Sequence, residues 1–330
     1  MEQFSNSAIN KVGDIIRQGK SAANYDEAVA TLNIWREQHG PLMDEYYDRC
    51  VALAKEIDEK NIIVAQRLKR LPTIIGKLNR FKEMRLSSMQ DIAGVRIITS
   101  DMEQLGVVES RLLKWGNIKK INDYIATPKS SGYRGKHFIF EQNGMLVEIQ
   151  LRTQFQHLWA TAVETLDVFR GTTLKEKDDN TYWHDFFCQV SSILASTENV
   201  PVLSEHKNLD IIEICKLLKK NNSKNGILKK IASFAVVDPI IQRTNNKKAY
   251  YSVITLDFKA KYAEVIGFKE EDYHLAFQEY KNRERRNPQN QQTVLIALNQ
   301  ISKIREAYPN YFMNLQAFLK IITLILERNQ

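Results

Sequence analysis

Two acidic residues stand beside predicted strands, where their carboxylates could hold a divalent cation. Asp91 immediately precedes the apolar run AGVRIIT at 93–99, which Arg96 interrupts. In VEIQLRT, at 147–153, period-two alternation places three polar side chains on one face of a strand: Glu148, Gln150 and Arg152. In a cleft such a row would suit a metal-bound phosphate. On an open surface it would be an ordinary solvated face, and Asp91 alone equally fits a residue that ends a turn.

A run of cations precedes these acids in the chain. RLKRLPTIIGKLNRFK, at 67–82, has six positive charges and no acid. Lys77 and Arg80 are three apart and share a helical face. Three further cations lie in the turn before that helix: Arg67, Lys69 and Arg70. The run is interpreted either as a phosphate-binding cradle or as a solvated basic face.

A third segment, YIATPKSSGYRGKHFIF at 124–140, combines glycines, cations and aromatic rings. Gly132 and Gly135 permit a tight backbone. Tyr133 lies between them and could lay its ring on a base. Three side chains could meet phosphate oxygens: Lys129, Arg134 and His137. Acids for a cation, a basic cradle and a stacking ring are the parts that phosphoryl-type transfer requires. The sequence has no P-loop, Rossmann or zincin motif, so those mechanisms have no basis.

Composition limits the class of protein that carries these residues. The 330 residues are 43% hydrophobic and 26% charged, which is typical of a soluble chain with a real core. The formal charge of +8 favours a polyanionic partner such as a nucleotide or nucleic acid. Three separated cysteines indicate neither a disulfide framework nor a zinc ribbon. The apolar segment 311–326 is too short to span a bilayer. We expect a cytoplasmic protein that binds neither membrane nor DNA.

The elements that position the candidate residues alternate irregularly between helix and strand. Residues 6–65 have roughly helical spacing, and further helices are predicted at 101–115, 154–169, 270–285 and 291–306. Strands are predicted at 93–99, 136–142 and 145–151, the last two joined by an Asn143-Gly144 hairpin turn, and two strand-like runs are KKIASFAVV and YYSVITLDF. The pattern predicts an α+β fold in which a mixed sheet is covered by helices.

Five segments, in order, resemble the synthetase domain of the RelA/SpoT family. They are RLK at 67–69 with Lys77, DIAGVRII at 91–98, DYIATPKSSGYRGKH at 123–137, VEIQLRT at 147–153 and HLWATAVE at 157–164. The resemblance implies a nucleotidyltransferase-like α+β domain at 66–200, with a helical lead-in at 1–65 packed on it. It also implies a pyrophosphokinase, which transfers pyrophosphate from ATP, with Mg²⁺, to a ribose 3′-hydroxyl.

The resemblance assigns roles to individual residues. Asp91 and Glu148 match the acids that hold the metal, and Glu148 also matches the group that activates the hydroxyl. The ATP-binding set is Arg67, Lys69, Lys77 and Arg96. Tyr133 matches the ring that stacks on the acceptor base, and the other acceptor-side residues are Lys129, Arg134, His137, Gln150 and Arg152.

The acceptor is the least determined feature. EAYPNYFMN, with Tyr308 and Tyr311, resembles the antitoxin region of CapRel-type toxin-antitoxin fusions. There a pseudo-zinc-finger domain, here expected as a smaller α+β domain at 205–330, blocks the ATP site until a phage capsid protein relieves it. This favours a self-inhibited anti-phage toxin that modifies the 3′ CCA end of tRNA. The alternatives are a small alarmone synthetase making (p)ppGpp from ATP and GDP or GTP, and a non-catalytic RNA-binding module. The Tyr308–Tyr311 pair is also explained by simple packing.

Overall fold

The computed structural model describes residues 4–170, 181–234, 240–242, 249–257, 260, 262–286, 291–298, 304–308 and 315–329. The helices in these ranges are α1 Asn6–Gln18, α2 Tyr25–Gln38, α3 Gly40–Asp58, α4 Leu71–Arg80, α5 Met102–Leu112, α6 Gln154–Arg170, α7 Thr181–Thr197, α8 Ile211–Asn225, α9 Ile227–Phe234, α10 Tyr273–Arg286, α11 Ile304–Ala307 and α12 Gln316–Arg328. None of these helices combines the length and the hydropathy that a bilayer crossing requires.

The strands are β1 Ile63–Leu68, β2 Ala93–Thr99, β3 Ile118–Asp123, β4 Lys136–Gln142, β5 Met145–Thr153, β6 Ile240–Gln242, β7 Tyr251–Asp257, β8 Tyr262–Phe268 and β9 Gln291–Leu298. They form one sheet in the order β3-β4-β5-β2-β1-β9-β7-β8-β6. The sheet is mixed, because β2 runs parallel to β5 and antiparallel to β1. The predicted α+β fold with a mixed sheet covered by helices is therefore confirmed.

The centre of the sheet aligns the predicted site segments. The parallel pairing of β2 with β5 sets Gly94 opposite Glu148 and Arg96 opposite Gln150. The β4–β5 hairpin turns at Asn143 and Gly144, which both have positive φ (52° and 72°), as a two-residue hairpin of this type requires. Local sequence thus fixes the hairpin, and β-pairing then places the polar rows of β2 and β5 side by side.

The two faces of the central strands differ in what covers them. Alternate residues such as Val95, Phe138 and Ile149 belong to a core shared with the N-terminal helices α1, α2 and α3. On the opposite face, Ala65 of β1 and Ile98 of β2 pack with Ala307 and Tyr308, in and just after α11. Successive side chains of a strand point to opposite faces. The polar residues that alternate with Val95, Phe138 and Ile149 must therefore face the side on which Ala307 and Tyr308 pack.

The C-terminal strands continue this sheet. β9 pairs antiparallel with β1, which brings Ile296 opposite Arg67, and β7 follows β9. The helix predicted at 291–306 is wrong over 291–298, where TVLIAL is a buried strand. The strand-like interpretation of KKIASFAVV is also wrong over 229–234, which lies in α9. The division into parts at 1–65, 66–200 and 205–330 stays a prediction, although one sheet extends across the last two.

Candidate active site

A cavity opens on the second face of the sheet, where β1, β2 and β5 contribute alternate residues. It is lined by Ala65, Arg67, Lys69, Asp91, Gly94, Val95, Arg96, Glu148, Gln150 and Tyr308. The two acids singled out from the sequence, which are 57 positions apart in the chain, therefore face one space. The cavity also gathers three of the four predicted ATP-binding cations, and Lys77 reaches it through Asp91.

Asp91 is held between two lysines at the mouth of β2. Lys69, just after β1, donates from Nζ to Oδ2 at 2.6 Å, and Lys77, on α4, donates to Oδ1 at 3.0 Å. Burial alone would raise the pKa of Asp91, but the charges of the two lysines outweigh burial and lower it to about 2. Asp91 is thus a fixed carboxylate with two ammonium groups beside it, which is an arrangement suited to a triphosphate and its cation.

Lys69 is itself under opposing influences. Burial lowers its pKa, and the nearby carboxylate of Asp91 partly offsets that effect. Its backbone N–H donates to the Ile92 carbonyl at 2.9 Å, so β1 and the loop before β2 are tied together next to the cavity. The lysine is therefore positioned both at its backbone and at its ammonium group.

Glu148 is the second acid and is only 7% exposed. Its Oε1 lies 2.9 Å from His137 Nδ1, and its Oε2 accepts a hydrogen bond from Gln150 Nε2 at 2.5 Å. Burial raises the pKa of Glu148, but the hydrogen bonds from His137 and Gln150 outweigh burial and lower it. The charge of Asp91 acts in the opposite direction and raises the pKa of Glu148.

A chain of hydrogen bonds extends from Glu148 away from the cavity. Since an ionised carboxylate only accepts, His137 donates from Nδ1 to Glu148 and accepts at Nε2. The Nε2 partner is the Tyr133 hydroxyl at 2.5 Å, which in turn accepts from Arg152 Nη2 at 2.6 Å. The chain Arg152–Tyr133–His137–Glu148 fixes the histidine tautomer and holds the Glu148 carboxylate in place as an acceptor.

The two carboxylates fit a magnesium ion. Mg²⁺ is usually held in proteins by one or two carboxylates, with substrate phosphates and water completing the shell. Each carboxylate oxygen has two lone-pair directions, so the bonds that Asp91 and Glu148 make leave capacity for a cation. Within the described ranges no cluster of three or more His, Cys, Asp or Glu side chains could hold a metal alone. Asp91 and Glu148 would thus hold the ion together with a nucleotide.

Tyr133 lies differently from the sequence expectation of an open stacking ring. Its side chain is 8% exposed and belongs to a core with Trp159 and Phe187. The Arg152 guanidinium lies 5.0 Å and the Lys129 ammonium 5.1 Å from the centre of its ring. Base stacking by Tyr133 stays a prediction that requires these neighbours to move.

Two other predicted acceptor-side residues lie away from the cavity. Arg134 is 3% exposed, and its Nε donates to Ser191 Oγ at 3.1 Å, beside a separate small cavity bounded by Trp159 and Glu198. Lys129 is exposed and sits 4.4 Å from the ring centre of Tyr124. The structure thus brings His137, Gln150 and Arg152 to the acids but not Arg134.

Sequence reasoning did not single out Tyr124. Its ring is partly exposed and meets His137 edge-on at 5.2 Å and Tyr133 at 5.8 Å. The signal available was an aromatic residue directly after Asp123, at the end of a strand and before a basic loop. Of the rings in this group, Tyr124 is the one with an exposed surface.

Arg96 and Tyr308 also line the cavity. The Arg96 guanidinium lies 5.9 Å from the ring centre of Tyr308, and burial together with Arg152 lowers the pKa of Arg96 to about 10. The Tyr308 hydroxyl donates to the Gln66 carbonyl at 2.8 Å, and the residue is 1% exposed. The predicted partner of Tyr308, Tyr311, lies outside the described residues.

Part of the chain that carries these residues matches a family model. Residues 66–166 match the family model described as "Region found in RelA / SpoT proteins". The chain contains a RelA/SpoT region. The RelA/SpoT region begins within β1, ends within α6 and includes Asp91 and Glu148. Tyr308 and the C-terminal strands lie outside it.

Several curated proteins are similar to part of the chain. An uncharacterized protein of Mycobacterium tuberculosis is 31% identical over 184 residues, covering 53% of this chain and 64% of that protein. GTP pyrophosphokinase YjbM of Bacillus subtilis is 31% identical, covering 34% of this chain and 60% of that protein. GTP pyrophosphokinase YwaC of the same organism is 37% identical, covering 29% of this chain and 52% of that protein. The chain thus spans between 52% and 64% of these relatives' own lengths.

Two solved structures are similar to part of the chain. Small alarmone synthetase 1 from Bacillus subtilis, bound to its product pppGpp, aligns at 23% identity with a TM-score of 0.41, over 49% of this chain and 89% of that one. A GTP pyrophosphokinase family protein from Streptococcus pneumoniae aligns at 23% identity with a TM-score of 0.42, over 57% of this chain and 96% of that one.

Proposed function

We propose that the chain is an ATP-dependent pyrophosphokinase whose acceptor is the ribose 3′-hydroxyl of GDP or GTP, which makes it an alarmone synthetase. The observation that supports this best is the convergence of Asp91 and Glu148 on one cavity, with Lys69 and Lys77 both paired with Asp91. Eight of the ten residues that line the cavity lie in the RelA/SpoT region. Two of the proteins that the chain resembles carry the name GTP pyrophosphokinase.

The residues of the cavity can be assigned to the steps of such a transfer. The 3′-hydroxyl oxygen of the acceptor attacks the β-phosphorus of ATP, the bond from that phosphorus to the α–β bridging oxygen breaks, and AMP leaves with the electron pair. Glu148 accepts the hydroxyl proton, since it is ionised and hydrogen-bonded through His137. Arg67, Lys69, Lys77 and Arg96 neutralise the triphosphate. Asp91 and Glu148 would hold Mg²⁺, which would supply further charge neutralisation.

The acceptor is tested by following label from the β- and γ-phosphates of ATP. Purified protein with Mg²⁺ is incubated with GDP, with GTP or with deacylated tRNA, and the products are separated. We expect label to move to the guanine nucleotides. Label only in tRNA would replace this proposal by the second candidate below. ATP stable with every acceptor would favour a non-catalytic RNA-binding module.

A tRNA acceptor is the second candidate because of a basic helix face outside the RelA/SpoT region. Lys216, Lys220 and Lys224 repeat every four residues on α8 and are exposed, and α9 adds exposed lysines at 229 and 230. Such a face can bind a phosphate backbone without reading sequence. In this version the protein is a translation-inhibiting toxin restrained by its own C-terminal part, and a phage capsid protein is the candidate trigger.

Tyr308 is the described residue through which such a restraint would act, because its ring closes one wall of the cavity. If it limits ATP access, Tyr308→Ala is expected to raise the transfer rate at low ATP severalfold. Tyr308→Phe, which removes only the hydroxyl bond to Gln66, should have a smaller effect. Initial rates against ATP concentration measure both, with thermal unfolding to confirm the fold. A folded alanine variant with an unchanged or lower rate would rule out the restraint.

A further inference from the structure

The loop between β1 and α4 carries Lys69, and groups from two distant helices hold its backbone. Arg36 of α2 donates to the Lys69 carbonyl from Nε at 3.1 Å and from Nη2 at 2.8 Å. Glu284 of α10 accepts a hydrogen bond from the Leu71 N–H at 2.8 Å, at the first turn of α4. Residues far apart in sequence thus fix both ends of a three-residue segment beside the cavity.

Arg36 and α10 are joined by a buried polar network. Arg36 Nη1 lies 3.1 Å from Glu284 Oε2 and 2.6 Å from Asn33 Oδ1. The Tyr280 hydroxyl accepts from Arg36 Nη2 at 2.8 Å and donates to Glu284 Oε1 at 2.6 Å. We call this set, Asn33, Arg36, Tyr280 and Glu284 with the backbone of Lys69 and Leu71, the Arg36 network. Every nitrogen of the guanidinium has at least one acceptor in it.

The burial of the Arg36 network makes it rigid. Arg36 is 0% exposed, and the Glu284 side chain is 6% exposed. A charge removed from water is tolerated only when its partners are well placed, so the members hold one another in a single arrangement. The start of α10 is seated closely as well. Gly40 begins α3 and Tyr273 begins α10. A Cβ atom at Gly40 would lie only 2.3 Å from the Tyr273 ring, so glycine at this position allows α10 to pack close to α3.

We propose that Tyr280 and Glu284 of α10 are positioning residues for the ATP site, acting through Arg36 on the backbone of Lys69 and on the first turn of α4. This rests on the proposed function. Both amines that flank Asp91 depend on the same held segment, because Lys69 is part of it and Lys77 projects from α4. The C-terminal part of the chain therefore helps to build the site that the RelA/SpoT region contains.

The milder test is Tyr280→Phe, which removes one hydroxyl and leaves the Arg36–Glu284 pair. Affinity for a non-hydrolysable ATP analogue with Mg²⁺ is measured by calorimetry, and KM and kcat by label transfer. We expect the dissociation constant and the KM for ATP to rise a few fold, with the KM for the acceptor unchanged. A purely structural role would lower the active fraction and leave the KM for ATP as it was. Tyr250→Phe is the matched control, because its hydroxyl bonds Asp48 at 2.7 Å, away from Lys69.

The stronger test is the double variant Arg36→Met with Glu284→Met, which removes both charges so that neither is left buried alone. It loses the bonds to Lys69 and Leu71, so we expect the ATP analogue to bind about tenfold more weakly, as for the loss of charge-assisted hydrogen bonds. Thermal unfolding reports whether the fold is kept. If the double variant does not fold, the ATP-analogue affinity and the KM for ATP of Tyr280→Phe decide whether the positioning role holds.

The outcomes separate this proposal from the proposed function. A wild-type protein that binds the ATP analogue but transfers no label contradicts the function, while the variants' affinities still test the positioning. Variants that fold and bind the analogue as tightly as wild type would overturn the positioning role whatever the transfer assay shows. A wild-type protein that does not bind the analogue would also overturn it.

Discussion

Asp91→Asn is expected to lower the rate of pyrophosphate transfer by at least about a hundredfold, a loss typical of removing one fixed charge from such a site. Asparagine keeps the size of the side chain but loses the charge that pairs with Lys69 and Lys77 and that we propose as a Mg²⁺ ligand. Two ammonium groups then lie together without a carboxylate between them, so the cation site is lost. Label transfer at saturating ATP and Mg²⁺ measures the effect.

The control for Asp91→Asn is Asp185→Asn. Asp185 is 57% exposed on α7 and does not line the cavity. It should leave the rate unchanged, and circular dichroism with thermal unfolding should show that both variants are folded. A folded Asp91→Asn protein that transfers pyrophosphate within a few fold of wild type would remove Asp91 from the site.

Glu148→Gln is expected to abolish transfer while leaving ATP binding largely intact. Glutamine cannot accept the hydroxyl proton, so kcat should fall by at least about two orders of magnitude. The triphosphate still meets Lys69, Lys77 and Arg67, so the affinity for an ATP analogue should change by much less than kcat. Single-turnover label transfer gives the rate, and calorimetry gives the affinity.

The pH dependence adds a second measure of the role of Glu148. Its lowered pKa means that the carboxylate is ionised at neutral pH, so the wild-type rate should fall only as pH drops below the usual glutamate range. The control variant is Glu141→Gln, on the exposed end of β4, where the side chain pairs with Lys119 at 2.8 Å. Retained turnover in Glu148→Gln, or an equal fall of rate and ATP affinity, would argue against a role as the base.

Local sequence predicted the parts of the site that depend on local rules. The alternation in VEIQLRT predicted that Glu148, Gln150 and Arg152 share one face of the strand. On the opposite face, Val147, Ile149 and Leu151 pack into the core shared with the N-terminal helices. The Asn143-Gly144 turn followed from its positive φ requirement. Asp91 lies near these polar residues because β2 pairs in parallel with β5. The order of the segments suggested this pairing, but no local sequence pattern fixes its register.

What the sequence did not predict depends on long-range pairing. The apolar run of β9, QQTVLIAL, is equally compatible with a helix and with a buried strand. Its pairing with β1 and β7 makes it a strand. The burial of Tyr133 also follows from packing against α6 and α7, which its glycine-flanked position does not reveal. Arg36 and Glu284 are separated by 248 positions, so their pairing cannot be seen in either segment alone.

The most direct test of the account is a crystal structure of the protein with Mg²⁺ and a non-hydrolysable ATP analogue. We predict that Asp91 and Glu148 both ligate the ion, that the triphosphate lies against Lys69 and Lys77, and that the analogue occupies the cavity lined by Arg96 and Tyr308. An analogue bound elsewhere on the protein, or an ion that contacts neither carboxylate, would contradict it.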